Sequence, residues 1–154
     1  MANPFPFVAG NVLTAAQLNG IGEATVAYTP TLGGITIGNG TVAAYYTRVN
    51  KIVYGSVYIT LGSTSAITTT VTFTLPVTAA ANSAGLLMGN GYYFDNSTSE
   101  TYLGTSFRSN TTTCTPFVGV ASGTYLVRSV INATVPVVFG ANDLLVYQFT
   151  YEAA

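Results

Sequence analysis

Apolar and polar residues alternate along most of the chain, which is the pattern of β-strands that bury one face. The clearest run lies between residues 67 and 75, where Ile67, Val71, Phe73 and Leu75 are separated by threonines. Similar runs predict further strands at 52–61, 84–94, 100–108, 113–121, 124–132 and 143–152. Short strands with turns about every 8–12 residues are typical of an antiparallel sandwich or barrel, so we expect an all-β fold.

Two short segments predict tight turns between these strands. Asn39-Gly40 separates an apolar run at 35–37 from another at 41–46. This dipeptide favours the type I′ turn of a β-hairpin, because both central residues of that turn need a positive φ. Asn50-Lys51 predicts the next turn, which leads into the strand at 52–61.

Aromatic side chains cluster in two of the predicted strands. In the last strand they follow Leu145 at alternate positions, so we expect this row to pack in the core or in a subunit interface. The stretches 91–94 and 100–102 have two interpretations: core packing, which we favour, or exposed aromatic loops that recognise a ligand. The aromatic candidates for an interface are Tyr92, Tyr93, Phe94, Tyr147, Phe149 and Tyr151.

The first 23 residues differ from the rest. Two prolines within Asn3–Phe7 remove backbone donors, which predicts an extended arm. Thr14 and Gln17 match a capping box, Leu13 and Leu18 match a hydrophobic staple, and Gly20 follows as a C-cap. We therefore predict a short helix at 15–19, with a polar loop as the alternative. The expected organisation is an arm and helix at 1–23 and a β-domain at 24–154.

Charge is scarce in these 154 residues. Four Lys+Arg and five Asp+Glu give 6% charged residues and a net charge of −1, whereas an ordinary domain has about 25%. Without a basic cluster we expect neither nucleic acid nor an anionic membrane as a partner. The first basic residue is Arg48, and no long uninterrupted apolar run occurs, so we expect no secretory signal and no membrane-spanning helix.

Few residues could carry chemistry. The chain has no His and a single cysteine, Cys114, which is most simply a small buried side chain. Asp95 and Glu100 form the only local carboxylate pair that could serve glycoside hydrolysis. With Ser97 they also loosely match a Ca²⁺ loop. A capped surface turn explains these residues more simply, so we expect no enzyme activity, no bound metal and no cofactor.

Several segments resemble a known family. The run Met1-Ala-Asn-Pro-Phe-Pro-Phe-Val-Ala-Gly-Asn-Val-Leu-Thr-Ala-Ala-Gln-Leu-Asn19 resembles the N-terminal segment of short virion structural proteins of tailed bacteriophages. Further similarity lies in turn and strand landmarks and is weak at 77–135. These landmarks are Tyr28-Thr-Pro-Thr31, Gly38-Asn-Gly-Thr41, Tyr46-Thr-Arg-Val49, Leu75-Pro76, Asn142-Asp-Leu-Leu and Tyr151-Glu152.

The resemblance implies a jelly-roll-like antiparallel β-sandwich that forms a homotrimer on the exterior of a phage particle, after synthesis in the host cytoplasm. It implies a capsid decoration or cement protein whose partners are the major capsid protein or other virion proteins. A tail-fibre or appendage tip that recognises a receptor or glycan is the alternative. The arm would make the attachment through Pro4, Phe5, Pro6, Phe7, Val8, Leu13 and Leu18.

Overall fold

A computed structural model of the chain describes residues 10, 12, 14, 15, 24–81 and 86–154. The predicted arm and, beyond Ala15, the predicted helix lie outside these residues, and so do Pro4, Phe5, Pro6, Phe7, Val8, Leu13 and Leu18. No helix in the described ranges is long and apolar enough to cross a membrane.

The described part of the chain forms ten β-strands, which confirms the all-β prediction. They are β1 (Val26–Ala27), β2 (Leu32–Thr36), β3 (Thr41–Val49), β4 (Ile52–Thr60), β5 (Ala66–Thr74), β6 (Leu87–Asp95), β7 (Glu100–Arg108), β8 (Thr113–Ser122), β9 (Tyr125–Val130) and β10 (Leu144–Glu152). All pairings are antiparallel. The strand order is β1-β3-β4-β10-β6-β7-β8-β5-β2, and β9 pairs with β8.

The sheet curls strongly around one core. Its two outermost strands, β1 and β2, are joined by only residues 28–31, which can span at most about 18 Å. Phe73 of β5 and Phe149 of β10 lie four strands apart in the order, or roughly 19 Å in a flat sheet. Their ring centroids are 6.1 Å apart, so the concave face closes on itself.

The predicted alternation agrees with the burial seen in β5 and β10. Ile67, Val71 and Phe73 are buried in β5, and Thr68 and Thr70 between them are exposed. Thr69 is the exception, because it alternates with the exposed threonines but is itself exposed. In β10 the predicted row of Leu145, Tyr147, Phe149 and Tyr151 is buried throughout. These side chains fill the concave face because adjacent residues of a strand point to opposite sides of the sheet.

The predicted hairpin at Asn39-Gly40 is wrong. β2 pairs with β5, whereas β3 pairs with β1 and β4. The turn between β2 and β3 is centred on Gly38 and Asn39, and of these only Gly38 has a positive φ, 54°. The Oδ1 of Asn39 accepts a hydrogen bond of 2.9 Å from the backbone N–H of Thr64. The turn therefore connects the two opposite sides of the curled sheet. The prediction at Asn50-Lys51 is confirmed, since β3 and β4 pair across it.

Candidate functional site

Asp95, the first candidate metal ligand, caps the turn between β6 and β7. Its Oδ1 accepts hydrogen bonds from the backbone N–H and the hydroxyl of Ser97, at 2.8 and 2.7 Å. Its Oδ2 accepts one from the hydroxyl of Thr98 at 2.9 Å. These bonds, chiefly the one from the Ser97 hydroxyl, lower the pKa of Asp95. Asp95 therefore stays ionised at neutral pH, whereas a general acid needs a raised pKa.

Glu100, on the other side of this turn, interacts with a neighbouring tyrosine. Its Oε2 accepts a hydrogen bond of 2.7 Å from the hydroxyl of Tyr102, and this bond is the main cause of a raised pKa for Tyr102. No group of three potential His, Cys, Asp or Glu ligands lies together within the described ranges. In this geometry Asp95, Ser97 and Glu100 shape a turn.

Asp143 is a buried carboxyl group that sequence reasoning did not single out. Only 1% of its surface is exposed. It accepts hydrogen bonds from the hydroxyl of Tyr93, from the N–H of Asn96 at 2.9 Å and from the N–H of Gly140 at 2.6 Å. Burial and the hydrogen bond to Asp143 raise the pKa of Tyr93, so its hydroxyl remains a donor. Asp143 thereby joins β6, the β6–β7 turn and the loop before β10.

The six aromatic interface candidates divide into core and partly exposed groups. Tyr93, Tyr147, Phe149 and Tyr151 are buried in the core. Tyr92 and Phe94 are half-buried, and both lie within β6 and not in an exposed loop. Sequence alternation placed these residues on strands but could not distinguish a core face from an interface face.

Tyr147 explains two glycines in the middle of strands. Gly91 of β6 lies opposite both Tyr147 of β10 and Gly104 of β7. The tyrosine ring packs over Gly91, where a Cβ would collide with it. A Cβ at Gly104 would collide first with the carbonyl oxygen of Phe117 and would also lie 2.8 Å from the tyrosine hydroxyl oxygen. The hydroxyl donates a hydrogen bond of 3.1 Å to the carbonyl oxygen of Phe117 in β8. A single side chain thus crosses the inner face of β6 and β7.

An uncharged surface on the convex side is the strongest candidate for binding, and we call it the tyrosine face. Ser56 of β4 lies at its centre, between Tyr45 of β3 and Gln148 of β10. Tyr54 and Tyr58 flank Ser56 along β4. The three tyrosines are 43%, 48% and 42% exposed in chain order. An open groove of about 270 Å³ lies between Tyr45 and Tyr54, and its lining also includes Thr25, Thr47 and Thr150.

The sequence contained a signal for this face. In β4 the outward positions 54, 56 and 58 alternate with buried Val53 and Val57. Alternation therefore placed two tyrosines on the outside of one strand. It could not show that Tyr45 of another strand joins them, because that depends on the register between β3 and β4.

Charged residues are even scarcer on the surface than in the sequence. Three of the described charged side chains, Asp95, Arg108 and Asp143, are buried. Lys51 and Glu152 form an ion pair of 3.8 Å near the ends of β4 and β10. Apart from this ion pair, no residue on the outward face of β3, β4 or β10 is charged.

Comparison with known proteins identifies no relative. The chain matches no family model, and no curated protein or solved structure is significantly similar to it.

Proposed function

We propose that this chain is a non-enzymatic structural protein of a tailed-bacteriophage virion. It decorates the exterior of the capsid as a homotrimer and stabilises the head lattice. In this proposal the curled sheet is part of a jelly-roll-like sandwich, and the proposed N-terminal arm and short helix attach it to the major capsid protein. The observation that carries this proposal is the uncharged tyrosine face on a surface with very few charges.

The composition of the tyrosine face supports burial between subunits. The centres of protein interfaces are depleted in charged residues and enriched in tyrosine. Tyr45, Tyr54 and Tyr58 offer large apolar rings, and their hydroxyls can form hydrogen bonds at the edge of a contact. In a three-fold ring each subunit uses two different surfaces, so the tyrosine face would pack against another surface of the neighbouring subunit.

Attachment to the particle tests the proposal. Virions of the phage that encodes the chain should carry on the order of hundreds of copies, as expected for a protein that follows the capsid lattice. A variant without residues 1–12 should remain folded by circular dichroism and should keep the subunit number of the full-length protein, a multiple of three, by light scattering. It should no longer bind capsids. The full-length protein is the control. A monomeric full-length protein, or capsid binding by the truncated variant, would overturn the proposal.

A tail-fibre or appendage tip that recognises a glycan is the second candidate. The groove of the tyrosine face favours it, since tyrosine rings can stack on sugar rings while Ser56 and Gln148 supply hydrogen-bonding groups. This function predicts a handful of copies per particle and binding of the isolated protein to host cells. Tyr54→Ala should then abolish cell binding, whereas a decoration protein should not bind cells at all.

A further inference from the structure

The hairpin formed by β8 and β9 extends beyond the curled sheet. All residues from 121 to 128 are exposed, and they include the end of β8 and most of β9. Tyr125 and Leu126 are each 77% exposed, and Val127 is 43% exposed. Three consecutive large apolar side chains are therefore in contact with solvent on a strand.

One edge of β9 has no neighbouring strand in the described part of the chain, because β9 pairs only with β8. Ser122 and Tyr125 close the two-residue turn and form a hydrogen-bonded pair. Hydrogen-bonded pairs alternate along an antiparallel ladder, so Tyr125 and Val127 bond to β8. The N–H and C=O groups of Leu126 and Arg128 consequently point away from β8, toward the open edge.

The open edge lacks the usual protection against pairing. Natural edge strands are blocked by charged side chains, by proline or by a bulge. The only charged residue of β9, Arg128, packs over the rings of Phe107 and Phe117, at 4.2 and 4.8 Å from their centroids. Its guanidinium group is therefore held against β7 and β8. The ladder between β8 and β9 also runs without a bulge from Phe117 to Ser122.

We propose that β9 pairs in antiparallel fashion with β9 of a second copy of this chain. An extended strand can satisfy the whole row of outward N–H and C=O groups, which otherwise bond to water. A two-fold axis makes an antiparallel edge complementary to itself, since each copy offers the same donors and acceptors in opposite order. The exposed side chains contain no acidic group that would favour a basic partner.

The position of Arg128 selects the register. Residues whose N–H and C=O groups point to the open edge must pair with each other, so the axis passes through a residue of β9. An axis at Val127 or at Arg128 pairs five residues of each strand, more than any other position. An axis at Arg128 would place two like charges directly opposite each other, which destabilises the pair. With the axis at Val127, Leu126 faces Arg128 of the second copy, and the two Val127 side chains meet. This contact is two-fold, so it is distinct from the interface of the proposed trimer and does not rest on that proposal.

Cysteine cross-linking tests both the contact and its register. In the proposed pair the two Val127 residues form a non-hydrogen-bonded pair with Cα atoms about 4.5 Å apart, a distance that a disulfide can bridge. Val127→Cys should therefore form a covalent dimer rapidly under mild oxidation, at a rate independent of dilution. The native Cys114 is buried and does not compete.

Tyr125→Cys is the matched control. It lies on the same strand and is more exposed, but in the proposed register it faces Ser129 of the second copy. The two introduced cysteines would be roughly 13 Å apart, too far for a disulfide. Light scattering of the wild-type protein should show an even number of subunits: a dimer when only this contact forms, or a hexamer when the proposed trimers also pair through it. Equal cross-linking of Val127→Cys and Tyr125→Cys, or a wild-type protein that is only monomeric or trimeric, would overturn the proposal.

Discussion

At the scale of single residues, the few ionisable groups serve the packing of the fold. Asp143 is buried and accepts hydrogen bonds from three separate chain segments. Asp95 accepts hydrogen bonds from Ser97 and Thr98, which lie in the same turn. A buried carboxyl group is tolerated only when its oxygens have such partners. Its role is therefore to join segments that are distant in sequence.

We expect Asp143→Asn to destabilise the protein. The amide retains one acceptor oxygen, so at least one of the donors from Tyr93, Asn96 and Gly140 loses its partner. An unsatisfied buried polar group costs about 1–3 kcal/mol of unfolding free energy, which chemical denaturation can measure. Glu152→Gln is the control, because the exposed ion pair with Lys51 is worth at most about 1 kcal/mol. Equal losses in both variants would contradict this role for Asp143.

At the scale of elements, the β6–β7 hairpin depends on the ionised form of Asp95. Its pKa is lower in the folded protein than the ordinary value of 3.8, mainly because Ser97 donates hydrogen bonds to the carboxylate. A lowered pKa means that this stabilisation is fully present above the ordinary pKa. It is lost as the pH falls through the folded value, below 3.8.

Asp95→Asn should therefore lower the Tm near neutral pH, since the neutral amide replaces an ionised acceptor. The difference in Tm between the wild type and this variant should become smaller at a pH below 3.8, because there the unfolded chain takes up a proton at Asp95 and the folded protein does so only at a still lower pH. Calorimetry at both pH values measures this change. A difference of the same size at both would show that ionisation of Asp95 does not support the turn.

At the scale of the whole molecule, the curled sheet encloses the only cysteine. Cys114 of β8 is completely buried, which confirms the expectation of a small core side chain. Burial raises the pKa of its thiol from 9.0 to about 12. The thiolate is the reactive form of cysteine, so reactivity at this position reports on opening of the core.

Alkylation of Cys114 by iodoacetamide should be about a thousandfold slower in the native protein than in the unfolded chain, since each pKa unit is a tenfold change. The rate should rise as denaturant unfolds the sheet, and labelling followed by mass spectrometry measures it. Ser122→Cys is the control, because this exposed position on the hairpin should label rapidly without denaturant. Fast native labelling of Cys114 would mean that the core opens locally.

Local patterns were sufficient to predict most strands and several turns. β5 and β10 follow from alternation alone, because the side-chain period of a strand is a property of its own backbone. The turn at Asn50-Lys51 likewise depends on neighbouring residues only, and Asn50 has the positive φ, 55°, that its residue type tolerates. The scarcity of charged residues also comes directly from composition.

Pairing between strands was decided by the tertiary structure. Asn39-Gly40 has the local chemistry of a hairpin turn, yet β2 and β3 find different partners across the curled sheet. Strand pairing is a contact between residues far apart in sequence, so a turn dipeptide cannot determine it. For the same reason the sequence could not predict that Tyr147 covers Gly91, that Asp143 is buried, or that the tyrosine face forms. Each of these contacts depends on the register between strands or on the curvature of the sheet. The sequence alone determined which residues form strands, and the tertiary structure decided which of their faces meet.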